Sequence, residues 1–225
     1  MHTEIKICGL STSEAIAACA DAGADLIGFI FFAKSPRNVT PSQAARLKSA
    51  SGRSVPCVAV SVNAEDDFLD EIVAQLKPDF LQLHGSETPG RVEEIKSRYA
   101  LPIIKAFAIR TKEDFDRLRP YEGLADKFLL DAKAPEGSDL PGGNGVSFDW
   151  NLLAEQEFST PYMLSGGLDG DNILEALQIS GAKSIDISSG VESSPGVKDI
   201  AKIAAFIKTI RQYDLEKTEY ATIAR

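Results

Sequence analysis

The sequence predicts an α/β protein built as a single (β/α)8, or TIM, barrel, and three observations carry that prediction. Short β-branched and aromatic runs alternate with segments whose apolar residues recur every three or four positions, which is the pattern of repeated strand–helix units. Eight such runs are centred near Ile7, Phe29, Val58, Gln82, Lys105, Leu129, Met163 and Asp186, at near-equal spacings of 22 to 34 residues. The length of 225 residues falls in the roughly 200–250 that one barrel domain occupies. Equal units favour a closed barrel over an open doubly wound sheet.

The elements follow in order. Strand one ends in Ile7-Cys8-Gly9, and Ser11 and Glu14 stand at capping-box spacing just beyond it, predicting a helix start there. Ile16, Cys19, Ala20 and Gly23 then share one helical face, as do Phe68, Leu69, Ile72, Val73 and Leu76 two units later. Strand two lies in Leu26–Ala33, the longest uninterrupted apolar run; its eight residues are far short of the ~20 a membrane helix needs. Strand four ends in Leu83-His84-Gly85 and strand six in Leu130-Asp131. The widest interval, between strands six and seven, holds Pro141-Gly142-Gly143-Asn144-Gly145, which lacks the third glycine and the preceding strand of a dinucleotide-binding turn. Strand seven ends in Leu164-Ser165-Gly166-Gly167, and strand eight in Ile185-Asp186-Ile187-Ser188-Ser189-Gly190. The last helix shows Ile200, Ile203, Ile207 and Ile210; the barrel is expected over 1–213, with 214–225 a polar tail.

Composition narrows the function classes. With 44% hydrophobic and 25% charged residues the chain can bury an ordinary globular core. The charge balance, 24 − 33 = −9, argues against nucleic-acid partners, which need clustered cations, and against anionic membranes. Cys8, Cys19 and Cys57 form neither a paired framework nor a CxxC cluster, and the amino terminus lacks the basic and apolar regions of a secretory signal. A cytoplasmic protein is expected.

In this architecture the active site lies at the carboxyl ends of the strands. The loops after strands seven and eight are its usual phosphate site, where glycines let backbone amides approach an anion. Gly166, Gly167, Ser188, Ser189 and Gly190 suit that role, although a lone Gly-Gly pair is as often a plain turn. A strand-end Cys is commonly a small buried hydrophobe, the class to which Cys19 and Cys57 are assigned. A strand-end Asp commonly caps a helix.

Taken together, Lys6-Ile7-Cys8-Gly9-Leu10, Lys34-Ser35-Pro36-Arg37, Leu81-Gln82-Leu83-His84-Gly85, Leu129-Leu130-Asp131, Gly142-Gly143-Asn144-Gly145 with Phe148-Asp149-Trp150, Ser165-Gly166-Gly167-Leu168 and Asp186-Ile187-Ser188-Ser189-Gly190-Val191-Glu192 resemble the phosphoribosylanthranilate isomerases of tryptophan biosynthesis. The likeness runs from residue 4 to about 210. It implies ring opening of N-(5'-phosphoribosyl)anthranilate and a proton shift, an Amadori rearrangement. By the same resemblance Asp131 matches the general acid on the furanose oxygen and Cys8 the general base at the second sugar carbon. Arg37 matches the residue for the anthranilate carboxylate and His84 a substrate contact. Asp186 either raises the Asp131 carboxyl or binds sugar hydroxyls. No metal or cofactor is implied, and a monomer acting on a phosphorylated small molecule is expected. Asn144 departs from the hydroxyl residue that relatives often carry.

Physical chemistry sets what such a site must supply. An ordinary thiol titrates near ~8.5, and drawing it to ~7 takes about 2 kcal/mol, available from the helix start after strand one or from Lys6, which shares a strand face with Cys8. A carboxyl with a reference value of ~3.9 must rise by about 3 units to donate at neutral pH. The nearest rival is the isomerase of histidine biosynthesis, which performs the same rearrangement on a bisphosphorylated substrate and typically uses two aspartates. A barrel that binds a phosphorylated metabolite without turning it over is the other alternative.

Overall fold

Parallel strands covered on both faces are apolar almost throughout, and eight such segments close on one another in chain order: β1 (Glu4–Cys8), β2 (Leu26–Phe31), β3 (Cys57–Ser61), β4 (Phe80–Leu83), β5 (Ile103–Ile109), β6 (Lys127–Ala132), β7 (Tyr162–Leu164) and β8 (Ser184–Ile187). Every predicted centre lies inside its strand. The computed structural model describes residues 2–133, 147–154 and 156–223, with side chains to residue 219. The Gly142–Gly145 loop and Asn144 lie outside the described residues. Closure is made by β1 against β8, with Ile5 opposite Ile185 and Lys6 opposite Asp186.

Alternation along each strand divides the core. Outward residues such as Ile5, Ile7, Phe29 and Ile185 pack under the helices, while Leu26, Val58, Ile104, Leu129 and Met163 plug the interior below the cavity. The barrel is thus filled rather than hollow.

The outer layer is α1 (Ser13–Ala22), α2 (Pro41–Ala50), α3 (Asp66–Leu76), α4 (Pro89–Tyr99), α5 (Asn151–Ala154), α6 (Ile173–Ser180) and α7 (Ile200–Ile223). Helix α1 begins one residue later than its sequence signal: Thr12, extended at φ −136°, is the cap, and its hydroxyl accepts the Ala15 amide at 3.2 Å. Ser11 stands one step outside. Gly23 ends the same helix in the left-handed region at φ +89° instead of sharing its face. After β5 only two 3₁₀ turns form, Lys112–Arg117 and Arg119–Tyr121; Pro120 has no amide to carry a longer helix. Beyond β8 a 3₁₀ turn, Ser189–Val191, leads into an antiparallel hairpin of β9 (Glu192–Ser194) and β10 (Val197–Lys198), which periodicity did not predict.

At the opposite end of the barrel α7 is fastened to β1. Instead of loosening at 214, the chain continues helical to Ile223, and buried Asp214 accepts the Thr3 amide at 2.8 Å and its hydroxyl at 2.7 Å. Arg211 donates to the Gly23 carbonyl at 2.8 Å and to Asp25 at 2.7 Å, and Asp25 also accepts the Ile5 amide at 2.8 Å. Burial pushes the Asp25 carboxyl up, but the Ile5 amide and the Arg211 and His2 hydrogen bonds outweigh it and hold the group below the usual carboxylate range.

A depressed folded value means that this stabilisation is present above the unfolded value of about 3.9 and is lost as pH falls through the lower folded one. Asp25→Asn is therefore expected to reduce unfolding free energy at pH 7 by about 1–2 kcal/mol. The difference should narrow in urea titrations as the pH is lowered below the unfolded value. A gap that persists there would mean that the carboxylate charge is not what stabilises this end.

Candidate active site

The carboxyl ends of the strands surround about 700 Å³ of open space at the barrel mouth. Cys8 from β1, Asp131 from β6 and Asp186 from β8 all line it, as do His84, Arg37, Gly166, Gly167, Ser188 and Ser189 from the loops. Cys8 and Asp131 sit three strands apart around the barrel, counted through β8 and β7.

The floor is charged. Lys6 is fully buried and donates to Asp186 at 2.8 Å across the β1–β8 seam, and Ser165 lies 3.5 Å from the other Asp186 oxygen. Burial pulls the Lys6 ammonium down; Asp186 and then Cys8 outweigh it and raise the lysine above its ordinary value. Asp186 is therefore one half of a buried ion pair. Lys6 reaches Cys8, as the shared strand face requires, yet the expected lowering of the thiol does not result. Burial pushes the Cys8 thiol up, and Lys6 pulls against it without prevailing. Gly28 leaves the space for this arrangement: a Cβ there would stand 2.8 Å from the Cys8 sulfur and 3.3 Å from Lys6 Cε. Cys19 and Cys57 are buried core thiols, with Cys19 raised to about 12 by burial.

Asp131 is 4% exposed and faces His84, whose Nε2 lies 3.4 Å from Asp131 Oδ2. Gln82 reaches His84 Nδ1 at 2.9 Å; with the amide donating, the ring proton stands on Nε2, toward Asp131. Gly166, at φ +89°, lies against the same carboxylate, and a Cβ there would meet the Ala132 amide nitrogen at 2.4 Å. Only glycine fits both the left-handed backbone and the close approach. Gly167 and Ser189 line the wall beside it. Gly190 stands behind that wall, where a Cβ would fall 2.0 Å from the Leu168 carbonyl oxygen.

Arg37 and two residues without a sequence assignment form a second charged group. Arg37 donates from Nε and Nη2 to Glu192 at 2.7 and 2.9 Å, both side chains being buried. Lys198 joins Glu192 at 2.7 Å and also donates to the Ser188 carbonyl at 2.8 Å, while the Ser188 hydroxyl reaches the Cys8 carbonyl at 3.0 Å. Burial pushes the Glu192 carboxyl up, but Arg37 and Lys198 outweigh it and hold the group below its ordinary value. The signal that would have found Lys198 is Pro195-Gly196, a turn pair between two short runs. Lys105 is likewise unforeseen as a buried cation: it pairs with Glu87 at 3.0 Å and donates to the Gly85 carbonyl at 2.8 Å, holding the loop that follows His84.

Chains of known function match this one closely. A family model described as N-(5'phosphoribosyl)anthranilate (PRA) isomerase fits residues 5–209. An N-(5'-phosphoribosyl)anthranilate isomerase of Brucella canis is 58% identical over 210 residues, spanning 93% of this chain and 95% of its own. The phosphoribosyl anthranilate isomerase of Thermotoga maritima superposes with a TM-score of 0.83 at 33% identity, covering 93% of this chain and 99% of that one. A phosphoribosyl anthranilate isomerase in complex with reduced 1-(o-carboxyphenylamino)-1-deoxyribulose 5-phosphate gives 0.79 at 31% identity, covering 92% and 97%.

Removing Lys6 tests the floor. Lys6→Met leaves Asp186 buried and unpaired and is expected to cost about 3–5 kcal/mol in denaturant unfolding, most of it recovered in Lys6→Met/Asp186→Asn. With the cation gone the thiol rises further, so the pH profile of Cys8 alkylation should move upward from that of the parent. An unchanged profile would remove Lys6 from any influence on the sulfur.

Proposed function

The chain belongs to the N-(5'-phosphoribosyl)anthranilate isomerase family, and from that premise we propose that Cys8 and Asp131 divide its proton transfers between them. The reaction converts N-(5'-phosphoribosyl)anthranilate to 1-(2-carboxyphenylamino)-1-deoxyribulose 5-phosphate in tryptophan biosynthesis. Asp131 gives its proton to the furanose oxygen as the bond from that oxygen to the first sugar carbon breaks, and the amine lone pair closes a carbon–nitrogen double bond. Cys8, as thiolate, takes the hydrogen from the second carbon, and the electron pair released forms the carbon–carbon double bond of an enolamine. Loss of the second-carbon hydroxyl proton and gain of one at the first carbon complete the ketose.

The observation that carries this division is that the two side chains line one cavity from strands on different sides of it. Lys6 lies beneath Cys8 to receive the negative charge that ionisation creates. His84 stands against Asp131, and the apolar wall of Ile30, Phe32, Val60 and Val62 suits an aromatic ring. Gly166, Gly167, Ser188, Ser189 and Gly190 are assigned to the phosphate, Arg37 to the anthranilate carboxylate, and Asp186 to the sugar hydroxyls with the oxygen that Lys6 leaves free. A histidine-pathway substrate is disfavoured because strand one ends in a thiol and only one evident pair of loops suits a phosphate, whereas that substrate carries two. The same reading assigns the enzyme to the cytoplasm, in keeping with three free cysteines, and to a monomeric state. A sedimentation mass of one chain is expected, and a dimer would overturn the latter.

Purified protein offered each aminoaldose should turn over only the anthranilate substrate. Asp131→Asn is expected to abolish turnover while product still binds, and Cys8→Ser to slow it by about 10²–10⁴. A raised thiol makes the activity limb governed by Cys8 ascend with pH above the ordinary thiol value of about 8.5. Residual activity within tenfold of the parent in either variant would sink the assignment of that residue.

A further inference from the structure

The Arg37 guanidinium has two edges, and the protein uses only one. Glu192 takes the Nε and Nη2 donors side-on, which leaves Nη1 and the second Nη2 hydrogen as a forked edge of the same planar group. Among the described residues Nη1 meets no acceptor, and Arg37 lines the cavity. The side chain is not free to choose another pose. Its stem passes so close to Gly9 that a Cβ there would stand 2.6 Å from Arg37 Cδ. Glu192 in turn is held by four donors: Oε1 accepts Arg37 Nε and Lys198 at 2.7 Å each, and Oε2 accepts Arg37 Nη2 at 2.9 Å and the Gly196 amide at 3.1 Å.

We propose that Glu192 is a positioning residue for ring recognition, clamping one edge of Arg37 so that the forked opposite edge meets the anthranilate carboxylate in one pose. The inference rests on the assignment of Arg37 to that carboxylate and adds to it the group that sets its aim. Charge explains why a third member is needed. An Arg37–Glu192 pair alone is neutral and would offer a second carboxylate little attraction, whereas Lys198 leaves the buried trio with a net charge of +1. The trio also joins the loop after β2 to the hairpin after β8, since Gly196 packs on the Pro36 carbonyl with a hypothetical Cβ only 2.6 Å away.

Two ligands separate the possibilities: 1-(2-carboxyphenylamino)-1-deoxyribulose 5-phosphate, and its phenylamino analogue without the carboxylate. Dissociation constants are measured for the parent, Arg37→Ala, Glu192→Gln, Glu192→Asp and Arg37→Ala/Glu192→Gln. Both Glu192 variants are expected to weaken the carboxylated ligand by about tenfold or more and the analogue less than about twofold, with KM rising and kcat within about threefold. In the Arg37→Ala background Glu192→Gln should add no further loss. Equal weakening of both ligands, or none, in the Glu192 variants overturns the clamp and leaves a structural latch. Arg37→Ala weakening both ligands alike overturns the assignment of Arg37 itself, a distinct outcome from selective loss in Arg37→Ala without selective loss at Glu192.

Discussion

A buried lysine facing a buried aspartate across the seam that closes the barrel is the constraint on which the cavity depends. Lys6 and Asp186 are register partners of β1 and β8, so the pair exists only once the first and last strands of the chain have met. Neither charge is tolerable alone at that depth, because desolvating one ion costs several kcal/mol and only a well-placed partner offsets it. The pair therefore ties the burial of both charges to closure: only the closed barrel brings Asp186 to the lysine beside Cys8. It also explains why Gly28 faces this spot, since the lysine stem and the thiol already occupy the volume a side chain would take.

Charge above that floor is arranged by function rather than spread evenly. The wall that bears Arg37, Glu192 and Lys198 carries one more cation than anion. On the wall that bears Asp131, the one ion-pair partner of the carboxylate among the described residues is His84. A side with excess positive charge and a side that bears a carboxylate thereby face one opening. Neutral backbone at Gly166 and Gly167 lies between them. Lys198 links the two charged layers, donating to Glu192 above and to Ser188, which touches the Cys8 carbonyl, below.

How much of this was legible in the sequence follows from the range of each signal. Strand positions were readable because an apolar run is a local property, and all eight centres fall within strands. The shared face of Lys6 and Cys8 was readable because alternation is local too. The partners of buried charges were not: Arg37 and Glu192 are 155 residues apart, and Lys6 and Asp186 are 180 apart. No periodicity connects residues at such distances; only the closed topology does. The predicted α1 start missed by one residue because Ser11 and Thr12 carry the same hydroxyl chemistry and backbone conformation decides between them. The thiol was read in the wrong direction for a similar reason. A nearby cation is visible in Lys6-Ile7-Cys8, whereas the depth that outweighs it belongs to the packed barrel.

The two ends of the barrel divide stability and chemistry between them, and the division has a physical cause. At the amino-terminal end of the strands, Asp25, Arg211 and Asp214 satisfy backbone groups of Thr3, Ile5 and Gly23, so their donors and acceptors are saturated within the chain. At the carboxyl end the polar groups are only partly engaged among the described residues: Arg37 keeps one edge, Asp186 has one oxygen 3.5 Å from the Ser165 hydroxyl, and Asp131 faces His84 at 3.4 Å. Unfilled hydrogen-bonding capacity is destabilising when buried, and it is also what a substrate with a carboxylate, hydroxyls and a phosphate can fill. A barrel able to leave its mouth incompletely bonded needs its base bonded fully, which is why the last helix reaches back to the first strand.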